Sequence, residues 1–214
     1  MKNSAILLLG FTLCFTAALS QNITSKTTTV VNGAATGITN EGTDLPFFTT
    51  SADADKIVSS IMSAMGLESN FKIKEADVPN VEAKIRHHDR YILYNPQFIK
   101  DVNAATKNKW ASIFILAHEV GHHLEGHTLL DINSRPSIEL EADEFAGFVL
   151  HRMGASLQQS QLAMYYISNL EASKTHPARA DRLSAIEKGW DKEDAQTAVV
   201  SFDAIGAQVQ TKQN

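Results

Sequence analysis

A His-Glu-x-x-His pattern at residues 118–122 is the part of this sequence with the clearest chemical meaning. Side chains four positions apart lie on one face of a helix, about 6 Å from each other, so His118 and His122 can bind the same metal ion. A catalytic zinc ion has three protein ligands and one open position for water. Glu119 borders the same position, and its carboxylate can take a proton from that water and later pass it to a leaving group. The pattern predicts a zinc hydrolase with Glu119 as its base.

The residues around this pattern favour a buried helix over a chance match on the surface. Trp110, Ile113, Phe114, Leu116 and Val120 recur at helical spacing, which is typical of a helix packed on several sides. A glycine inside a helix lowers its stability by about 1 kcal/mol relative to alanine. The hypothesis for Gly121 is that another chain segment approaches closely there.

The third metal ligand is expected from a second helix. The metzincin pattern would need a histidine at position 128, but that position holds Thr128, and His127 comes one residue too early. A helix is predicted over Ser137–Met153, with Pro136 at its start and Gly154 after its end. Glu139 on this helix is the predicted third ligand.

Asp143 lies one helical turn after Glu139 and is predicted to accept a hydrogen bond from the free ring nitrogen of a ligand histidine. Glu141 and Glu144 fall on other faces of the helix and are expected to be solvated. An ordinary charged helix face is the alternative for the whole group.

Three motifs, taken in order, resemble the gluzincin peptidases. They are the segments 117–123 and 139–147 and the late Thr175-His176-Pro177 element with Arg182. The closest pattern is the family of HtpX, Oma and CaaX prenyl proteases, and the first two motifs are also similar to bacterial neutral zinc metallopeptidases. The interval between the first two motifs is shorter than in the membrane-embedded members, so this chain resembles a minimal version without their membrane body.

This resemblance implies a mostly helical zincin-like domain, one Zn²⁺ ion per chain and hydrolysis of peptide bonds. It also implies a catalytic role for His176 and Arg182 near the site, with the late histidine facing the scissile carbonyl. From the residues alone, His176 or Thr175 can equally cap a helix that begins at Pro177. By position, the resemblance implies His118, His122 and Glu139 as ligands, Glu119 as base and Asp143 as support.

The remaining candidates are aromatic residues and histidines outside the three motifs. A positive group or a hydroxyl is needed to stabilise the oxyanion of peptide hydrolysis, and Tyr165 and Tyr166 are fallback candidates for that role, although core packing is the alternative. Histidines outside the motifs are expected at the surface or in turns; they are His87, His88, His123, His127 and His151.

The fold class expected from the whole sequence is α+β, mainly helical, with a small sheet beside the active-site helix. Further helices are predicted at Asp53–Met65, from Pro96 to Ala105, over Ser156–Ala172 and from Pro177 to Trp190. Strands are predicted at Phe71–Glu75, Val81–Arg86 and Tyr91–Tyr94, with a turn at His88-Asp89-Arg90. The edge formed by Tyr91, Ile92, Leu93 and Tyr94 is predicted to bind an extended substrate, and a purely structural hairpin is the alternative.

The amino terminus predicts export to a periplasm or to the outside of the cell. An apolar run of about 15 residues follows Lys2, which is shorter than the roughly 20 residues of a membrane-spanning helix, and small residues end it before Gln21. An uncleaved anchor is the alternative. The expected organisation is a signal peptide at 1–20, a flexible leader at 21–50, a zinc metallopeptidase domain at 51–192 and a tail at 193–214.

Composition and net charge exclude several kinds of site and partner. Cys14 is the only cysteine and lies in the signal peptide, so disulfides, thiolate ligands and a cysteine nucleophile are excluded from the mature chain. The net charge of −5, without a basic cluster, argues against nucleic acid as a partner. The expected partner is a peptide or protein substrate, with no stable membrane insertion. An inactive peptidase-like zinc-binding module that captures peptides, and a helical domain with coincidental motifs, remain as alternatives.

Overall fold

The structure is a computed structural model that describes residues 45–129 and 135–193. The predicted signal peptide, most of the predicted leader (21–44) and residues 194–214 of the predicted tail lie outside the described residues. The elements run in the order α1 (Ser51–Ala64), β1 (Phe71–Glu75), β2 (Val81–Arg86), β3 (Asp89–Tyr94), α2 (Pro96–Thr106), α3 (Lys109–Leu124), a short 3-10 helix (His127–Leu129), α4 (Pro136–Arg152), α5 (Leu157–Ile167) and α6 (residues 179–193).

This architecture confirms the mainly helical α+β class with a small sheet.

Most helix starts have the expected capping chemistry: Asn95 accepts from the first backbone N–H groups of α2, and Asn108 does the same for α3. Pro136 occupies the first turn of α4, where its missing N–H is not needed. Gly154 ends α4 with a φ of 93°, which suits a residue without a Cβ atom.

Helix α3 forms the centre of the described fold. Every residue from Ala111 to Gly121 is buried, and the helix contacts α1, α2, α4, α5, β2 and β3. This burial on all sides confirms the prediction from the apolar spacing. Leu45 and Phe48 also belong to the core, so the core includes residues that precede the expected domain boundary at residue 51.

The sheet has the order β1-β3-β2, with β3 parallel to β1 and antiparallel to β2. The strands match the predicted ones closely, but the predicted turn at residues 88–90 was wrong. His87 and His88 form the two-residue turn with φ values of 50° and 70°, while Asp89 already pairs with Arg86. Two positive φ values twist the chain in the sense that an antiparallel hairpin requires.

The predicted helix at Ser156–Ala172 ends earlier than expected. Ser168 leaves α5 in an extended conformation, and its carbonyl oxygen accepts a hydrogen bond of 2.6 Å from Nη2 of Arg179. This long-range contact stabilises the helix end, and no local stop signal precedes it in the sequence.

Candidate metal centre and active site

Three predicted ligand side chains converge at one point between α3 and α4. Nε2 of His118 lies 3.1 Å from Nε2 of His122 and 3.4 Å from Oε2 of Glu139, and Nε2 of His122 lies 3.7 Å from Oε1 of Glu139. Tetrahedral zinc with ligand bonds of about 2.0–2.1 Å places its ligands roughly 3.3 Å apart. The separations therefore fit one tetrahedral metal ion held by these three residues, as the sequence predicted.

Gly121 explains how the two helices come close enough to form this site. A Cβ atom at Gly121 would lie 3.0 Å from Cδ1 of Phe145 and 3.3 Å from Cα of Ala142, both on α4. The hypothesis of a close approach at this glycine is confirmed. The absence of a side chain lets α4 bring Glu139 to the His118 and His122 face of α3.

His118 is supported from behind by an ion pair. Its Nδ1 lies 3.0 Å from Oδ1 of Asp143, whose side chain is fully buried. Arg182 on α6 donates to both carboxylate oxygens of Asp143, with distances of 2.7 Å for Nε and 2.7 Å for Nη2. Such a bidentate pair fixes the orientation of the carboxylate. The expected place of Asp143 behind a ligand histidine is thus observed.

The structure places Arg182 differently from the expected catalytic position. Its guanidinium group is buried and holds Asp143, and Nη2 lies 3.7 Å from Oε2 of Glu139. It also borders the cleft described below. These contacts make Arg182 a positioning residue rather than a group aimed at a substrate.

His122 has a second support that the sequence analysis missed. Its Nδ1 lies 3.0 Å from Nδ1 of His127, and Nε2 of His127 lies 2.9 Å from Oε2 of Glu141. His127 is buried, although it was expected at the surface or in a turn. Glu141 was expected to be solvated; its side chain is 58% exposed and also contacts His127. Gly126, with a φ of 79°, turns the chain after α3 and returns His127 to the site. The glycine directly before His127 was the one local signal for this turn.

Glu119 faces the same site and contacts the sheet. The backbone N–H of Ala83 on β2 donates to Oε2 of Glu119 over 2.7 Å. Burial raises the pKa of Glu119 from its ordinary 4.5 to about 7. A pKa near neutrality suits a carboxylate that must accept a proton and release it again.

The electrostatics of the two histidines differ sharply without a metal ion. Burial opposes a charge on His118, but the Asp143 and Glu139 carboxylates outweigh it and raise its pKa to about 9. Burial and the positive charge of His118 lower the pKa of His122 to about 3. Near neutral pH and without a metal ion, His118 is therefore the protonated histidine of the pair and His122 the neutral one.

These groups lie in a cleft of about 600 Å³. Strand β2 borders it along Val81 to Ile85, and apolar side chains that include Phe98, Ile138, Met164 and Ile167 complete its lining. His176 also lines this cleft, in an exposed loop, with its Nδ1 at 2.8 Å from Oγ1 of Thr175. His176 therefore lines the same cleft as the ligand cluster, and its catalytic role stays a prediction.

The predicted substrate-binding strand was wrong. Tyr91, Ile92, Leu93 and Tyr94 belong to β3, which is the central strand and pairs on both sides. Within residues 45–129 and 135–193, β2 is the edge strand beside the cleft. The sequence order of the strands did not reveal this, because β1 pairs with β3 across the hairpin and not with its neighbour β2.

Several further residues depart from expectation. Tyr165 and Tyr166 are about half exposed, so they are not core residues, and the cleft is lined instead by their neighbours Met164 and Ile167. His123 is buried, with Nε2 at 2.8 Å from the carbonyl oxygen of Tyr91, and it connects α3 to the sheet. His151 stacks on Trp190.

No protein family model, curated protein or solved structure matches this chain. In the part of the chain that the structure describes, no helix has both the length and the apolar character to span a membrane.

Proposed function

We propose that this protein is an exported zinc-dependent peptidase, with His118, His122 and Glu139 as metal ligands and Glu119 as the base. The observation that supports this most strongly is the position of Glu119 beside a three-ligand cluster, at a cleft bordered by the edge of a strand. A His-His-Glu ligand set leaves one position of a tetrahedral ion free, as catalytic zinc sites require.

Zinc in this position would supply a Lewis acid that polarises a carbonyl group and lowers the pKa of water. The protein residues have the remaining roles in the reaction. Glu119 accepts the proton from the attacking water and donates it to the leaving amine. Asp143 and Arg182 keep His118 in place, and the N–H of Ala83 holds one oxygen of Glu119, which leaves the other oxygen for the proton transfer.

An extended peptide is the substrate class that the cleft favours. Backbone groups alternate in direction along an antiparallel strand, so the residues two positions from Ala83 point their N–H and C=O groups away from β3 as Ala83 does. Val81 and Ile85 on β2 are those residues, and their backbone groups can pair with a peptide strand. The apolar lining of the cleft would accept apolar side chains of that peptide. Cleavage within a chain follows more naturally from this open edge than removal of single terminal residues.

His176 is the candidate for stabilising the oxyanion in this proposal. It lines the cleft and is exposed, so its side chain is accessible to a bound substrate. A hydrogen-bond donor aimed at the developing charge contributes several kcal/mol in other hydrolases, roughly 3–4 kcal/mol for a single donor. Arg182 is committed to Asp143 and is not needed for this step.

Peptide hydrolysis by the purified protein, with and without a chelator, tests the proposal. We expect cleavage of a random peptide library that stops with chelator and returns with zinc. Glu119→Gln should retain zinc and lose activity by at least about 100-fold, because the base is absent. Glu68→Gln, a change of an exposed carboxylate that does not belong to the cleft lining, is the matched control and should retain most of the activity.

The same experiment distinguishes the peptidase from the alternative function, an inactive zinc-binding module that captures peptides. If the wild-type protein binds zinc and library peptides but cleaves none of them, the module is correct and the peptidase is not. If Glu119→Gln cleaves peptides as fast as the wild type with zinc bound, the assignment of the base is wrong.

A further inference from the structure

The contact between His122 and His127 assigns protons to specific ring nitrogens. Nε2 of His122 faces His118 and Glu139, so a metal ion held by the cluster takes the lone pair of that nitrogen. A neutral imidazole carries its single proton on the other nitrogen. Nδ1 of His122 must then be the N–H donor of the 3.0 Å contact with His127.

His127 completes the chain in only one tautomer. Its Nδ1 must accept the proton of His122, so its own proton lies on Nε2, where it is donated to Oε2 of Glu141 over 2.9 Å. An ionised carboxylate accepts hydrogen bonds and cannot donate them, which selects this tautomer. The three side chains therefore form a chain of two hydrogen bonds that points from the metal position toward the protein surface.

The two ligand histidines differ in how they are supported. His118 contacts the buried Asp143, whose charge is balanced by Arg182. His122 reaches a carboxylate only through a second imidazole, and that carboxylate is 58% exposed. Hydrogen bonds behind a ligand histidine fix its tautomer and its ring orientation, and their loss typically weakens metal binding about 10- to 100-fold.

We propose that His127 is a positioning residue that holds His122 in its metal-binding tautomer, and that Glu141 acts on His122 through His127. This inference rests on the metal site of the proposed function. It adds two residues to that site which lie outside the His-Glu-x-x-His pattern and its third ligand.

Zinc affinity, measured by competition with a chromogenic chelator, tests this proposal without reference to catalysis. His127→Phe fills the space but has no acceptor, and we expect its zinc affinity to fall about 10- to 100-fold. His127→Asn retains an acceptor oxygen near the position of Nδ1 and should recover most of the affinity. The visible spectrum of the Co²⁺-loaded protein should change in His127→Phe and return toward that of the wild type in His127→Asn.

A double-mutant cycle separates this role from a general effect on the fold. Glu141→Gln changes an exposed side chain, so it should fold normally, and we expect a smaller loss of zinc affinity, about threefold to tenfold. If Glu141 acts through His127, adding Glu141→Gln to His127→Phe should change the affinity by no more than about twofold. The matched control is His123→Phe, which removes a buried histidine of α3, next to His122 in the sequence, and should retain the zinc affinity of the wild type.

Three results would overturn the proposal. They are zinc affinity in His127→Phe within about twofold of the wild type, failure of His127→Asn to recover any affinity, and full additivity of the two losses in the cycle. If the wild-type protein binds zinc and cleaves peptides but any of these results is obtained, only the role of His127 is rejected and the proposed function stands. A wild-type protein that binds no zinc rejects the proposed function as well.

Discussion

At the scale of single residues, the site is a set of buried charges that stabilise each other. Asp143 is fully buried, and its charge is balanced by Arg182 on one side and His118 on the other. The sequence predicted His118, His122, Glu139 and Asp143 because each pair lies four positions apart on a helix, and that spacing alone determines the shared face.

Other residues of the site could not be predicted in the same way. The contact of His127 with His122 depends on the turn at Gly126, and the contact of Arg182 with Asp143 depends on where α6 crosses α4. Neither arrangement follows from periodicity within one helix. The late motif predicted that Arg182 lies near the site. Its contact with Asp143 is seen only in the folded structure.

Removing Arg182 should destabilise the fold strongly. Arg182→Leu leaves the buried Asp143 carboxylate without its bidentate partner, and we expect a loss of about 3–5 kcal/mol in the free energy of unfolding. Urea unfolding followed by circular dichroism measures this difference. Arg152→Leu is the matched control, because Arg152 is 45% exposed and lies 3.7 Å from Glu193, which is 15% exposed. A partly exposed single contact stabilises less than a buried bidentate pair, and we expect a loss of about 1 kcal/mol. Equal losses in the two variants would contradict the structural role of Arg182.

At the scale of elements, two glycines bring α6 onto α4. A Cβ atom at Gly147 would lie 2.1 Å from the carbonyl oxygen of Ile186, and one at Gly189 would lie 1.8 Å from the carbonyl oxygen of Glu144. The backbones of the two helices are therefore in direct contact at two places. This contact determines the position of Arg182 relative to Asp143.

The elements themselves were largely predictable, since apolar spacing and capping residues are local signals. Their arrangement was not. The pairing of β1 with β3 joins strands that are not adjacent in the chain, and no residue pattern in Phe71–Glu75 distinguishes β2 from β3 as its neighbour. The prediction of Tyr91–Tyr94 as the substrate edge was wrong for this reason.

An added methyl group at the helix crossing should be poorly tolerated. Gly189→Ala forces α6 away from α4, and we expect a loss of about 1–3 kcal/mol or more in the free energy of unfolding, from overpacking. An exposed position two residues earlier on the same helix gives the control, since Glu187→Ala should change stability by less than about 0.5 kcal/mol. Thermal unfolding of both variants gives the comparison. If Gly189→Ala were as stable as Glu187→Ala, the close backbone contact would be wrong.

At the scale of the whole molecule, the fold places a positively charged centre among carboxylates at the base of the cleft. Without metal, His118 holds a proton with a pKa of about 9, well above its ordinary 6.5. Folding is therefore favoured while this proton is bound. The stabilisation is complete below pH 6.5 and is lost as the pH rises through about 9.

The metal-free protein should therefore become less stable as the pH rises from 6.5 to about 9. Zinc replaces the proton at the cluster, so the zinc-loaded protein should lack this decrease, and zinc affinity should rise over the same range. Melting temperatures measured with chelator and with zinc across this range give both results. In His118→Gln the decrease of the metal-free protein should disappear. A metal-free protein whose stability rises over this range would show that His118 carries no such proton.

His118, His122 and Glu139 are placed to hold one metal ion together. Equilibrium dialysis against zinc, followed by elemental analysis, tests it most directly on the wild-type protein, Glu139→Gln and Glu144→Gln. Glu144 lies on the same helix but pairs with Lys188 and Lys192, so it is a matched carboxylate outside the site. We expect about one zinc ion per chain in the wild type and in Glu144→Gln, and a large loss of zinc in Glu139→Gln. A wild-type protein without zinc, or Glu139→Gln with undiminished zinc, would contradict it.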